Sequence, residues 1–190
     1  MTNPLLHLED LPAFSRITPA HVEPAIDHLL AENRRRISAL LESLDEPTWQ
    51  NFIEPLDAWD DELERAWSPV SHMNSVVNSE ELRAAYNACL PKLSEYGTEM
   101  GHNEALYRAY RRLADSGQAL EEGQRKVLDN ALRDFHLSGI DLPADQKARF
   151  KDISQQLSQL TSTFSENLLD ATNAWSKRFD DAAALAGLPQ

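Results

Sequence analysis

From Pro143 the chain carries no helix breaker until after Phe179, and apolar residues return every three or four positions along it. Phe150, Ile153, Leu157, Leu160 and Phe164 keep an a/d rhythm; Asn167, Ala171 and Ala174 continue the register, with Leu168 and Trp175 one place on. This spacing predicts one continuous helix over 143–176, about 50 Å long at roughly 1.5 Å per residue. So long a helix must cross several others or run along a partner. The rest of the chain agrees with a helical fold. No segment alternates apolar and polar residues at strand spacing, and glycine occurs only six times, at 97, 101, 117, 123, 139 and 187.

Start and stop signals divide the remainder. Thr18-Pro19 reads as a cap followed by proline in the first helical position. Val22, Ile26, Leu29, Leu30, Ile37, Leu40, Leu41 and Leu44 then share a face, with Asn33 standing where an apolar residue is expected. Pro24 either begins the regular helix or ends a first turn not continuous with it, and Asp45 and Pro47 end the run. A second helical region opens near Thr48, with Trp49, Phe52, Ile53, Leu56, Trp59, Leu63, Trp67 and Val70 as a core stripe. Pro55 and Pro69 are expected to divide it, Ser68-Pro69 acting as a fresh cap. Asn78 to Glu81 has capping-box spacing and opens a third helix, which Pro91 is expected to kink or restart. Shorter helices follow over about 103–114 and 120–137, the latter stopped by Ser138-Gly139. Residues 180–190 read as a loose tail or a short helix.

Composition narrows the function. The chain has 18 basic and 31 acidic residues, a formal net charge of −13. A phosphate backbone is repelled by that field, which argues against nucleic acid as a partner; Arg34, Arg35 and Arg36 read as a solvated helix face. The single cysteine, Cys89, has no base near it in sequence and reads as a small buried hydrophobe in a reducing compartment. The amino terminus, MTNPLLHLEDLP, has neither the basic start nor the long apolar run of a signal peptide. No stretch approaches the roughly 18 apolar residues of a membrane span.

Residues that carry chemistry do not assemble into a known motif. There is no His-Glu-x-x-His, no Gly-x-Ser-x-Gly, no phosphate-cradling glycine loop and no Cys-x-x-Cys. One Glu-x-x-His occurs, Glu99 to His102, where a di-iron bundle needs two copies and two further glutamates; Gly101 interrupts it. His28 and Glu32 share a helix face, but two candidate ligands do not make a site. No catalytic, cofactor-binding or metal-binding residue is assigned.

Several stretches, taken in order, carry a resemblance. ITPAHVEPAI comes first, then TWQNFIEPLDAWDDELERAWSPVSHMNSVVNSEELRAAY, then VLDNALRDFHLSG, and last SGIDLP followed by KARFKDISQQLSQLTSTFSENLLDATNAW. Together, over about residues 4–189, they resemble the amino-terminal region of the M3 family of zinc metallopeptidases. The resemblance implies a longer parent enzyme of two mostly helical lobes around a deep channel that admits short, unfolded peptides. In such enzymes the His-Glu-x-x-His helix and a third ligand, a glutamate, lie far downstream and hold the zinc that activates water. It also implies that this chain is the amino-terminal part, 1–190, of a cytoplasmic oligopeptidase, inactive and without zinc alone. Its partners are then short oligopeptides and the missing carboxy-terminal catalytic lobe, not nucleic acid or membrane.

The fold expected is all-α, six to eight helices with one very long terminal helix. If Leu157 and Leu160 are buried, alanine at either costs roughly 2–5 kcal/mol, while Gln155 and Gln159, off the stripe, tolerate replacement. Part of the 150–175 stripe is expected to be exposed, as surface that the rest of the enzyme covers. A free-standing helical interaction module is the alternative function, and a small metal-dependent bundle enzyme a third.

Overall fold

Thr18 and Pro19 open the first helix as the spacing predicts, and five more helices follow in a computed structural model that describes residues 3–7, 11–181, 183, 186 and 187. They are α1 (Pro19–Ser43), α2 (Glu54–Val76), α3 (Glu80–Gly101), α4 (Glu104–Asp115), α5 (Glu122–Leu137) and α6 (Ala144–Ala174). Single 3₁₀ turns, Pro4–Leu6 and Phe14–Arg16, precede α1, and a π turn, Trp49–Ile53, leads into α2. No strand occurs among the described residues, so the fold is all-α. The tail expected at 180–190 falls largely outside the described residues.

Most helix starts lie where a side chain can accept from the first free N–H groups. Thr48 Oγ1 accepts from Asn51 N at 3.1 Å while Asn51 Oδ1 accepts from Thr48 N at 2.7 Å. Asn103 Oδ1 accepts from Leu106 N at 3.0 Å. The cap of α3 is displaced by one residue from Asn78. Ser79 Oγ accepts from Leu82 N at 3.2 Å, and Asn78, at φ 36°, takes the left-handed turn that ends α2.

The prolines do not divide the helices. Helix α1 runs through Pro24, α2 through Pro69 and α3 through Pro91. Each removes one hydrogen bond, but Pro24 and Pro91 are exposed, where water can satisfy the freed carbonyl. Pro69 is buried within the first core, where packing outweighs the lost bond. Ser68-Pro69 is therefore mid-helix rather than a fresh cap. Pro55 sits in the first turn of α2, where no N–H is needed. The turn before it widens into the π turn, with Glu54 N bonded back to Trp49 O.

Helix α1 is the spine of two apolar clusters. Val22, Ala25, Ile26, Leu29 and Leu30 meet Leu63, Ala66 and Val70 of α2 and Leu82 and Cys89 of α3. Farther along, Ile37 meets Phe52 and Ile53 of the π turn, Leu106, Ala109 and Leu113 of α4, and Leu128 and Phe135 of α5. Three of the four tryptophans pack as core, Trp67 against the first cluster and Trp49 and Trp59 against the second. Neither cluster contains a residue of α6, which lies along α3.

Gly139 ends α5 in the left-handed region, at φ +86°. Gly139 N bonds His136 O at 3.0 Å and Ile140 N bonds Phe135 O at 3.1 Å. This is the Schellman pattern, and the buried Phe135 and Ile140 supply its apolar contact. A Cβ at Gly139 would lie 2.6 Å from Leu142 Cδ1. Gly139→Ala is expected to destabilise by about 1 kcal/mol or more; a urea midpoint at or above the parent's contradicts this.

Candidate functional surface

Helix α6 is inverted relative to an ordinary surface helix. Its half-buried side, turned to α3, carries Lys151, Ser154, Gln155, Ser158, Glu166 and Leu169 around Ser162, its one buried residue. Polar bonds hold it there. Arg83 clasps Asp170 with two bonds of 2.8 and 2.6 Å. Asn87 Nδ2 donates to Glu166 at 2.7 Å, and Ser162 Oγ donates to Asn87 Oδ1 at 3.0 Å. Lys151 reaches Glu95 at 2.5 Å. Residue numbers rise on α3 as they fall on α6, so the two helices are antiparallel. Small serines allow close approach of the two helices.

The apolar stripe lies on the opposite side of α6. Exposure is 53% at Ile153, 63% at Leu157, 66% at Leu160 and 71% at Phe164, and Leu168 and Trp175 are also exposed. The burial considered for Leu157 and Leu160 is therefore overturned, because α6 turns its serine face to α3. Exposure of the stripe is what the resemblance implied. Leu157→Ala and Leu160→Ala are each expected to shift unfolding free energy by no more than about 0.5 kcal/mol. A loss of 2 kcal/mol in urea denaturation would show the stripe to be covered.

One margin of the stripe borders a groove between α6 and the end of α2, with a volume of about 750 Å³. Hydroxyls and amides line part of it, among them Ser71, Asn74 and Ser75 on α2 and Ser158, Thr161 and Ser165 on α6, and Tyr86 and Leu90 of α3 and Leu169 of α6 give it an apolar share. Leu157 and Leu168 stand at its edge.

The residues considered for chemistry are engaged separately. Glu99 accepts from Arg34 Nε at 2.7 Å, whereas His102 Nε2 lies 2.7 Å from Ser138 O. Glu32 is bonded to Arg35 and Arg36 at 2.6 and 2.9 Å, and those guanidiniums hold its carboxyl down to about 2. The three arginines are thus not a plain solvated face: Arg34 ties α1 to α3, and Arg36 ties it to Glu62 of α2 at 2.7 Å. Cys89 is fully buried, and burial pushes its thiol up to about 11. Gly101 does have a structural role, since a Cβ there would meet Ser138 Cβ at 2.6 Å, where the ends of α3 and α5 nearly touch. No described helix is long and apolar enough to cross a membrane.

Comparison with known proteins decides the family. The model of the Neurolysin/Thimet oligopeptidase N-terminal domain matches residues 26–147. The chain belongs to this family of M3 peptidase amino-terminal domains. It is 48% identical to Oligopeptidase A of Haemophilus influenzae, over 100% of this chain and 28% of that protein. Oligopeptidase A of Escherichia coli gives the same identity and coverage. Probable cytosolic oligopeptidase A of Arabidopsis thaliana is 33% identical over 99% of this chain and 27% of its own length. The chain thus spans about 28% of the length of the bacterial relatives.

Proposed function

We propose that this chain is the non-catalytic amino-terminal domain, residues 1–190, of a cytoplasmic, zinc-dependent oligopeptidase, forming part of a channel wall past which short peptides travel to be hydrolysed. The observation that carries this reading is the collinear 48% identity to bacterial oligopeptidases over the whole chain. The groove bordered by α2, α3 and α6 is a surface suited to a peptide in transit, because its hydroxyls and amides can bond a backbone while its leucines and Tyr86 can cover side chains. Zinc in such an enzyme supplies an activated water. Glu99 and His102, the nearest approach to a ligand pair here, are bonded to different elements, so the ligands of that ion are assigned to the part of the protein beyond this chain.

The test is hydrolysis of a short quenched fluorescent peptide. The protein encoded by the longer reading frame is expected to cleave it, to stop on chelation and to resume with zinc. The 190-residue chain alone is expected to be inactive, and co-expression with the remaining carboxy-terminal portion to recover activity. Zinc-dependent turnover by the 190-residue chain itself would overturn the proposal. A free-standing interaction module is the second reading, favoured by the exposed stripe of α6. A gene that stops after codon 190 decides for it.

A further inference from the structure

We infer that the outward stripe of α6 is the seat of an α-helix from the carboxy-terminal remainder of the same protein, an inference that rests on the proposed function. Three observations lead there. First, α6 is fixed to α3 through hydrogen bonds and ion pairs, with Ser162 and Asn87 at their centre, while Ile153, Leu157, Leu160 and Phe164 face away. A helix so oriented has a second face to cover, and α3 covers the first. Second, the outward residues repeat at alternating steps of four and three from Ile153 through Phe164, with Asn167, Ala171 and Ala174 in the same register. A seven-residue period sustained over that length matches another helix lying nearly along α6. Third, this chain corresponds to 28% of the length of its bacterial relatives, so most of the parent's length lies outside it.

A second copy of the chain is the competing occupant, and charge disfavours it. Each copy carries a net charge of −13, so pairing brings two like fields together. The flanking positions Gln156, Gln159, Thr161 and Thr163 are uncharged and offer no ion pairs to register one copy against another. A border without charge from Ser154 to Ser165 suits a helix permanently covered by its own chain.

Thiol labelling tests the inference. Cys89 is buried and its thiol is pushed up to about 11, so the native background is slow. Leu160→Cys places a thiol on the stripe; Gln159→Cys places one on the exposed flank as a control. Both sites are exposed, so neither substitution threatens folding. In the 190-residue chain the two thiols are expected to react at similar rates. In the longer protein the thiol at position 160 is expected to slow by at least about 100-fold, and that at 159 to change little. Equal rates at 160 in both proteins overturn the inference. Protection at 160 that already appears in the short chain and grows with its concentration assigns the stripe to a second copy, and overturns it too. Scoring peptide cleavage on the same longer protein separates the two proposals. An active protein with an open position 160 removes only this inference, and an inactive one with a protected position 160 removes only the peptidase reading.

Discussion

Phe52→Ala is expected to lower the free energy of unfolding by about 3–5 kcal/mol. Phe52 is fully buried in the π turn, in the cluster that joins Ile37 of α1 to α4 and α5. Its ring meets Tyr110 edge to face, with centroids 4.9 Å apart at 69°. Tyr110 in turn lies 5.5 Å from Phe135, which lies 5.4 Å from Tyr107. Tyr110 is enclosed enough that burial pushes its hydroxyl up to about 12. Phe52 therefore starts a chain of rings crossing from the π turn through α4 to α5. Alanine leaves a cavity among close-packed rings and aliphatic side chains that these helices cannot easily close. Urea denaturation should show the loss in the midpoint with little change in slope. A loss below about 1 kcal/mol would mean that the cluster collapses around the gap.

What the sequence discloses here, and what it conceals, follows from the range of the interactions. Thr18, Asn103 and Gly139 act on residues within five positions of themselves, and all three mark helix ends where they were expected. Pro24, Pro69 and Pro91 stay inside helices because solvent at Pro24 and Pro91, and packing at Pro69, offset a local cost that a window of sequence shows alone. The cap at Ser79 was missed by one place for a related reason: Asn78 is held left-handed at the end of α2, with its Oδ1 accepting from Arg83 Nε at 2.9 Å. Arg83 also binds Asp170, 87 residues away. Helix α6 is the clearest case. Its period told which residues share a face, but period alone cannot tell an inward face from an outward one. The choice is made by Asn87 with Ser162 and Glu166, and by Glu95 with Lys151, across separations of 56 residues or more. The serines at 154, 158, 162 and 165 were a signal in plain view, since small polar residues at helical spacing fit close packing against another helix. Of the candidate surface, the stripe is legible in the sequence and the groove beside it is not, because its walls come from α2, α3 and α6.

Asn33→Asp is expected to cost about 3–5 kcal/mol at neutral pH, the magnitude of an uncompensated buried charge. Asn33 is 1% exposed on the core face of α1, and its Nδ2 donates to Trp59 O at 3.1 Å. A carboxylate has no proton for that carbonyl and would set two oxygens against each other. The nearby cations are already committed, Arg36 to Glu32 and Glu62 and Arg34 to Glu99. Burial away from any free cation raises the folded-state pKa of such a carboxyl above its unfolded value of about 3.9. Between those two values the native state binds more protons than the unfolded state, so stability falls as pH rises. The penalty is therefore smallest near pH 4, where a protonated carboxyl can donate to Trp59 O. It grows as pH climbs and levels off above the folded-state pKa. Asn33→Leu separates charge from shape: it also loses the bond to Trp59 but adds no titrating group, so its stability relative to the parent should be flat with pH. Urea unfolding of the parent and both variants from pH 4 to pH 8 makes the comparison. An Asn33→Asp deficit as flat as that of Asn33→Leu would show that water reaches position 33 and that the face of α1 between Leu29 and Ile37 is not the sealed core described here.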